Sequence, residues 1–331
     1  MKRVLLFLTL ALVLVSCGTR KGYFTIEGRF LNLNQGEFYV YSTDGVINGV
    51  DTIKVNGGRF ALEIPCANKG TLVMVFPNYS EQPVFAESGA TVDIKADASH
   101  LKEMKVTGTD DNKLMTDFRL ATASSSPPEI QKLAEHFISD NPESLVAVYL
   151  LRKYFVSNAS ADKKKAAQLL KTIKEAQPKN GTVTRMEQEL RIAASAPVGS
   201  KLPAFTVRGI NGSVVSSASF KGKTTIICTW ASWCSNSGNM MRQISDIVSS
   251  ANDNTTALGI SLDASKESCS NAMEQYGIKV ACVCDGMLFD SPLLHKLGLQ
   301  AVPSNIIVDS NGKIIARNIN TEDLDKYLKT K

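Results

Sequence analysis

Between Tyr23 and Val106 apolar positions alternate with polar ones in short runs: Phe24 and Ile26; Phe38-Tyr39-Val40-Tyr41; Asp51 to Val55; Arg59 to Ile64; Thr71 to Phe76; Thr91 to Lys95. A period of two predicts half-buried strands, and Asn56-Gly57-Gly58 between two of them predicts a hairpin. Short strands separated by glycine-rich turns predict an antiparallel β-sandwich over residues 17–109. From Asp110 to Ala196 the spacing becomes helical. Asn141 precedes Pro142 as an N-cap with proline at the first helical position, and Leu145, Val148, Tyr149 and Arg152 continue the pattern. Ser160 starts a second helix that runs from Lys163 to Gln177 and stops at Pro178, Val183 to Ala194 makes a third, and Ser124 to Pro128 reads as a turn. Segment 110–196 is taken as a helical spacer.

After Pro197 strands and helices alternate. Thr224 to Thr229 is a β-branched, apolar run suited to a strand buried on both faces. Ser237 to Val248 follows with Met240, Met241, Ile244, Ile247 and Val248 at helical intervals. Ala257–Leu262 and Val280–Cys284 read as strands on either side of a helix at Lys266–Tyr276. Asn305–Val308 and Lys313–Arg317 flank the turn Ser310-Asn311-Gly312, and Thr321 with Glu322 and Asp323 caps a final helix. The expected fold is α+β and multidomain: a β-sandwich, a helical spacer and an α/β domain over residues 197–331.

The first residues stand apart. Lys2 and Arg3 precede the apolar run Val4 to Val15, too short to span a membrane comfortably and built like a secretory signal. Leu14-Val15-Ser16-Cys17 resembles the lipobox of bacterial lipoproteins. That resemblance implies removal of residues 1–16, diacylglycerol on Cys17 and attachment to a membrane of the Gram-negative cell envelope, facing the periplasm. Gly18 stands where the enterobacterial pattern has an aspartate for inner-membrane retention, which points to the outer membrane. The net charge of +5 falls by two when Lys2 and Arg3 leave. The remainder forms no basic stripe, so nucleic acid is not an expected partner. Lys163-Lys164-Lys165 reads as a solvated helix face.

Of the seven cysteines, Cys66, Cys228, Cys234, Cys269, Cys282 and Cys284 remain once Cys17 carries lipid. Cys282-Val283-Cys284 has no histidine or second cysteine pair at ligand spacing, so no metal and no cofactor are expected. Buried thiols are the plain reading; a disulfide from Cys269 to Cys282 or Cys284 is the alternative in an oxidising compartment. His100 and His136 read as surface or structural residues.

Cys234 lies at or just before the N-terminus of the helix after the buried strand, where unpaired N–H groups and the helix dipole favour a thiolate. The stretch Thr229-Trp230-Ala231-Ser232-Trp233-Cys234-Ser235-Asn236-Ser237 resembles a thioredoxin active site whose second cysteine has become serine. Pro197 to Phe205, Gly212-Ser213-Val214-Val215 and Phe220-Lys221-Gly222-Lys223 resemble the lead-in of the TlpA/ResA-like group. Asp51-Thr52 with Val55-Asn56-Gly57-Gly58-Arg59-Phe60 resembles the small β domain of unknown function found ahead of such domains. The likeness implies a C-terminal thioredoxin fold, and a cis Pro303 in Val302-Pro303-Ser304 that faces the cysteine and leaves backbone groups for an incoming peptide. The implied site is Cys234, Ser237, Trp233 and Pro303.

Three departures follow from that comparison. Ser237 cannot form a disulfide, although its hydroxyl can hydrogen-bond the Cys234 thiolate. Asn236 replaces the usual proline. Cys228 occupies the place of a buried acid, so no acid is expected to accept a proton there; Cys228 is either a core residue or an auxiliary thiol. The ranked expectations are a tethered thiol-disulfide protein working through Cys234, a peptide- or partner-binding module, and a thiol peroxidase. The peroxidase has least support, because Thr229 does not fit a Thr-x-x-Cys spacing. Expected partners are envelope proteins with thiols or disulfides, an electron donor, and the membrane through Cys17.

Overall fold

The structure, a computed structural model, describes residues 20–158, 161–250, 254–320 and 322–324. The leader, Cys17, Ser160 and Thr321 lie outside the described residues. The chain forms two compact units, one up to Glu187 and the other from Gln188.

In the first unit, strands β1 (Tyr23–Leu31), β2 (Gln35–Ser42), β3 (Val50–Asn56), β4 (Arg59–Pro65) and β5 (Gly70–Val75) follow the runs read from the sequence; β6 (Glu81–Ala86) lies outside those runs, β7 (Thr91–Asp97) follows one, and β8 (Lys105–Thr107) lies outside them. They join in one sheet of order β6-β5-β2-β3-β4-β1-β7-β8. Adjacent strands are antiparallel except β1 and β7, which are parallel. A parallel pair needs a long crossover, and five strands supply it. The predicted hairpin joins β3 to β4, with Asn56 opposite Arg59 and positive φ at both Gly57 (58°) and Gly58 (75°). Only a turn of this primed type matches the strand twist, which is why two glycines sit there. Inward residues of every strand meet in a single core. At its centre Phe30, Phe38, Phe60 and Phe76 pack in alternating stacked and edge-on pairs with centroids 5.0–5.8 Å apart.

The two end strands, β6 and β8, are both engaged by one helix, α1 (Asp110–Thr122). Asn112 accepts from Phe85 N–H at 3.0 Å and donates to Phe85 C=O at 2.7 Å, as a neighbouring strand would. Thr116 does the same for Val106, at 2.9 and 3.0 Å. Buried Arg119 donates to Met104 O at 2.6 Å and to Gln82 Oε1 at 2.9 Å, and burial pulls its pKa down to about 10. Side chains of one helix thus satisfy the sheet edges that would otherwise stay open.

The helices that follow depart from expectation in two places. Ser126-Pro127-Pro128 is a helix start: α2 covers Pro127–Asp140, with a capping box between Ser126 and Glu129 and prolines in the first positions. Prolines cost nothing there because those N–H groups have no helical partner. Asn141 belongs to the end of that helix, its N–H donating to Phe137 O; α3 (Leu145–Leu151) is capped by Ser144, which accepts from Val146 N–H at 3.0 Å. The hydroxyl nearest the first turn takes the capping role, so Pro142 is not the first helical residue. Asp162 caps α4 (Lys163–Ala176), and α5 (Gly181–Ala193) follows.

In the second unit a short hairpin, β9 (Thr206–Arg208) with β10 (Val214–Ser216), leads into β11 (Thr224–Trp230), α6 (Ser235–Ser250), β12 (Thr255–Ser261), α7 (Lys266–Tyr276), β13 (Ala281–Val283), α8 (Pro292–Leu297), β14 (Ser304–Val308) and β15 (Ile314–Arg317). The main sheet has the order β13-β12-β11-β14-β15; β11, β12 and β13 run parallel, and β14 is antiparallel to both neighbours. Strand β11 is buried on both faces, as its composition predicts. Ile226, Cys228 and Trp230 join the core that includes Met241 and Ile244 of α6 and Cys269 of α7. Ile227 joins the opposite core, with Leu293 and Leu294 of α8.

Candidate functional site

The site forms where β11 ends and α6 begins. Cys234 immediately precedes α6, and its carbonyl accepts from Ser237 N–H at 3.0 Å and Gly238 N–H at 3.1 Å. This places it at the helix N-terminus, as the apolar spacing of α6 predicts. The Cys234 side chain is half-buried against the core that contains Ala231, Leu293 and Leu294, while Trp233 beside it is 57% exposed.

Ser237 is fully buried. Its hydroxyl accepts from Ala231 N–H at 3.1 Å and donates to Cys234 C=O at 2.7 Å. The expected bond to the Cys234 sulfur is therefore corrected: the hydroxyl has a single proton, and the carbonyl one turn back receives it. Serine here is a backbone clamp that holds the turn 231–234 in shape.

Val302–Pro303 is a cis peptide, and Val302 packs against the same core as Cys234. The fold brings this loop to the site through Thr229, which lies opposite Ser304 in the β11–β14 register. The buried Thr229 hydroxyl donates to Ala301 O at 2.7 Å and accepts from Ser304 N–H at 2.8 Å. Cys234, Trp233, Ser237 and Pro303 thus converge on one end of the sheet. Thr229 is committed to the loop rather than turned toward a ligand.

Cys228 lies elsewhere. It points into the core on the α6 side, in contact with Met240 Sδ at 3.6 Å, whereas Cys234 packs on the opposite core. Burial pushes the Cys228 thiol up to about 12. A thiol that is both protonated at neutral pH and across the sheet is a core residue in this fold.

Position 228 carries no acid, but a carboxyl group that the sequence does not single out reaches the site from the neighbouring strand. Asp263, 1% exposed, follows β12, the parallel neighbour of β11. Its carboxyl group accepts from Ser232 N–H at 3.1 and 3.2 Å, from Ser232 O–H at 2.6 Å and from Ser261 O–H at 2.7 Å. Ser232 is two residues from Cys234, so this carboxyl group sets the turn that presents the sulfur. The usable signal was the polar Ser261-Leu262-Asp263 at the carboxyl end of a parallel strand, where sites of open α/β sheets gather.

The remaining thiols of this unit are buried: Cys269 on α7, Cys282 on β13 and Cys284 just beyond it. Burial pushes Cys269 up to about 12 and raises Cys282 as well. Among the described residues no group of three or more His, Cys, Asp and Glu side chains is placed to hold a metal ion. No helix among them is long and apolar enough to cross a membrane.

Residues 198–317 match the AhpC/TSA family, and residues 24–115 match a domain of unknown function, DUF4369. No curated protein matches the chain. Among solved structures, similarity is found to the C-terminal domain of a protein assigned as a thiol-disulfide oxidoreductase from Bacteroides thetaiotaomicron, at 30% identity over 41% of this chain and 95% of that one, with a TM-score of 0.38. A thiol-disulfide oxidoreductase from Bacteroides fragilis matches at 27% identity over 39% of this chain and 98% of that one, with a TM-score of 0.37. The thioredoxin domain of a thiol-disulfide oxidoreductase from Bacteroides vulgatus matches at 27% identity over 40% and 95%, also with a TM-score of 0.37. The C-terminal part of the chain is thus an AhpC/TSA thioredoxin-like domain, preceded by a DUF4369 domain.

Proposed function

We propose that this protein is a lipid-tethered thiol-disulfide protein of the cell envelope that acts through Cys234 alone. The observation that carries this reading is the distribution of thiols. Among the described cysteines Cys234 is the one that is not buried, and the residue one turn on, where a resolving thiol would stand, is a clamped serine. The Cys234 thiolate attacks one sulfur of a substrate disulfide, forming a mixed disulfide; the other sulfur leaves as a thiolate and takes up a proton. Release requires an external thiolate to attack the mixed disulfide and return Cys234 as the leaving group. The cis-Pro303 loop at the same end of the sheet as Cys234 suits an extended peptide segment, and the lipid on Cys17 would keep the domain at a membrane.

The test is insulin reduction, with non-reducing gels for trapped adducts, for the wild type, Ser237→Cys and Cys234→Ser. In a single turnover of pre-reduced protein with no added thiol, wild type should accumulate adducts through Cys234, whereas Ser237→Cys should release one reduced insulin disulfide per molecule as its own pair closes to a disulfide; glutathione as electron donor should then release the wild-type adducts and sustain further turnover. Absence of adducts in every case would leave a peptide-binding module on this fold. Equal release of reduced insulin by wild type and Ser237→Cys in that single turnover would refute the single-thiol account. Replacing Cys17 with Ala should move the protein from the membrane fraction to the soluble one; unchanged fractionation would refute the anchor.

A further inference from the structure

Two buried thiols that this reading leaves unused come together under the site. Cys269 lies in the first turn of α7, where its N–H donates to Ser265 O at 3.3 Å. Cys284, just past β13, brings its sulfur to within 3.6 Å of the same carbonyl and 3.4 Å of Asp263 O. The Ser265 carbonyl is thus shared by the Cys269 N–H and the Cys284 sulfur, and the Ser261 hydroxyl and the Cys284 thiol both act on the Cys269 thiol. Both cysteines belong to one core cluster and are shielded from solvent. Cys282, two residues before Cys284, is directed elsewhere. Its sulfur lies against Gly259, where an added Cβ would be 2.7 Å from it, in the same spot that Met241 Cε and Trp230 Nε1 approach. The buried indole N–H of Trp230 has no hydrogen-bond partner of good geometry.

We propose that Cys269 and Cys284 are an internal dithiol–disulfide couple, a second redox centre of the C-terminal unit that is independent of Cys234. A disulfide needs its Cβ atoms about 3.5–4.5 Å apart, a demand that two cysteines gathered at one carbonyl in one core cluster are placed to meet. The oxidant is a small disulfide. One thiolate of the pair attacks it, forming a mixed disulfide and expelling one thiolate. The second cysteine then attacks the sulfur of the mixed disulfide, closing the Cys269–Cys284 bond and expelling the other. Two electrons pass to the oxidant, and the two protons of the pair leave with its thiolates. Because burial holds Cys269 protonated far above neutral pH, closure should be slow at pH 7 and should speed up about tenfold per pH unit up to pH 9. The bridge would join α7 to the segment after β13 and replace the sulfur contacts to the carbonyls of Asp263 and Ser265. The couple does not depend on whether Cys234 forms mixed disulfides.

The test treats the reduced full-length protein with 2,2′-dithiodipyridine, quenches with N-ethylmaleimide in denaturant, and maps non-reduced tryptic peptides by mass spectrometry. Lys266, Lys279 and Lys296 place Cys269 in one peptide and Cys282 with Cys284 in the next. The expected product is those two peptides joined through Cys269 and Cys284, with Cys282 carrying maleimide. Cys282→Ser should keep the cross-link and Cys284→Ser should lose it. Closing the bridge should also raise the thermal midpoint of this unit by several degrees. Maleimide on both Cys269 and Cys284 once Cys234 has fully reacted, or a bridge through Cys282, would overturn the proposal. Since the mapping is done on the unmutated protein, a variant that fails to fold does not remove the test.

Discussion

Asp263→Ala tests the claim that a buried carboxyl group holds the cysteine turn. The substitution removes the acceptor of three donors: Ser232 N–H, Ser232 O–H at 2.6 Å and Ser261 O–H at 2.7 Å. A hydrogen bond contributes net about 0.5–1.5 kcal/mol, and a buried donor left without a partner costs about 1–3 kcal/mol. Ser261 is buried and Ser232 half-buried, so the two hydroxyls and one N–H cannot all recover a partner from water. Against this, the variant no longer has to bury a carboxyl group, which returns part of the loss. The expected net cost is about 2–4 kcal/mol. Asp263→Asn keeps one acceptor oxygen and should cost about 1 kcal/mol. Both tryptophans of the chain, Trp230 and Trp233, lie in this unit, so fluorescence-detected urea unfolding reports it without interference from the first unit. Asp263→Ala and Ser232→Ala should also be non-additive by about 1 kcal/mol or more, because each removes the partner of the other. A loss under about 0.5 kcal/mol for Asp263→Ala, or simple additivity with Ser232→Ala, would refute this role for Asp263.

Two further outcomes follow from other parts of the molecule. The thiols of Cys228 and Cys269 have an ordinary value of 9.0 and are pushed up to about 12 by burial. Between those limits the unfolded chain has released protons that the folded chain keeps, so stability is full below pH 9 and falls as pH rises, by up to about 1.4 kcal/mol per unit for each thiol. Urea midpoints of the reduced protein should therefore drop between pH 8 and pH 10.5, less so in Cys228→Ala relative to its own pH 8 value; pH-independent midpoints would contradict the burial of these thiols. In the first unit, Asn112→Ala should cost about 2–4 kcal/mol by leaving Phe85 N–H and C=O unpaired at the sheet edge. The far-UV circular dichroism transition should move to lower urea, and an unmoved transition would mean that water satisfies that edge.

What the sequence makes legible is local. Alternation of apolar and polar residues places β1 to β5 and β7 of the first unit, and Asn56-Gly57-Gly58 places its hairpin, because both features act between near neighbours; it does not place β6 and β8. The same local logic misleads at Ser126-Pro127-Pro128, where prolines read as punctuation although the Glu129 side chain three residues on completes a capping box. The parallel pairing of β1 with β7 leaves no trace in either strand, since it depends on what five intervening strands do. At the site the division is the same. Cys234 is readable because a buried strand, a turn and a helix start are consecutive in the chain. Asp263 is not, because its partner Ser232 is 31 residues away and the two meet only when β12 pairs with β11. A substitution pattern read along one strand finds cysteine at position 228 in place of an acid and says nothing of the neighbouring strand. The sheet supplies one from the adjacent strand, placed to fix the turn through Ser232 while Ser237, the residue that has lost its sulfur, fixes the same turn from below through Ala231 and Cys234. Two polar side chains thus hold a single thiol in position, so the geometry of the turn no longer depends on a second sulfur.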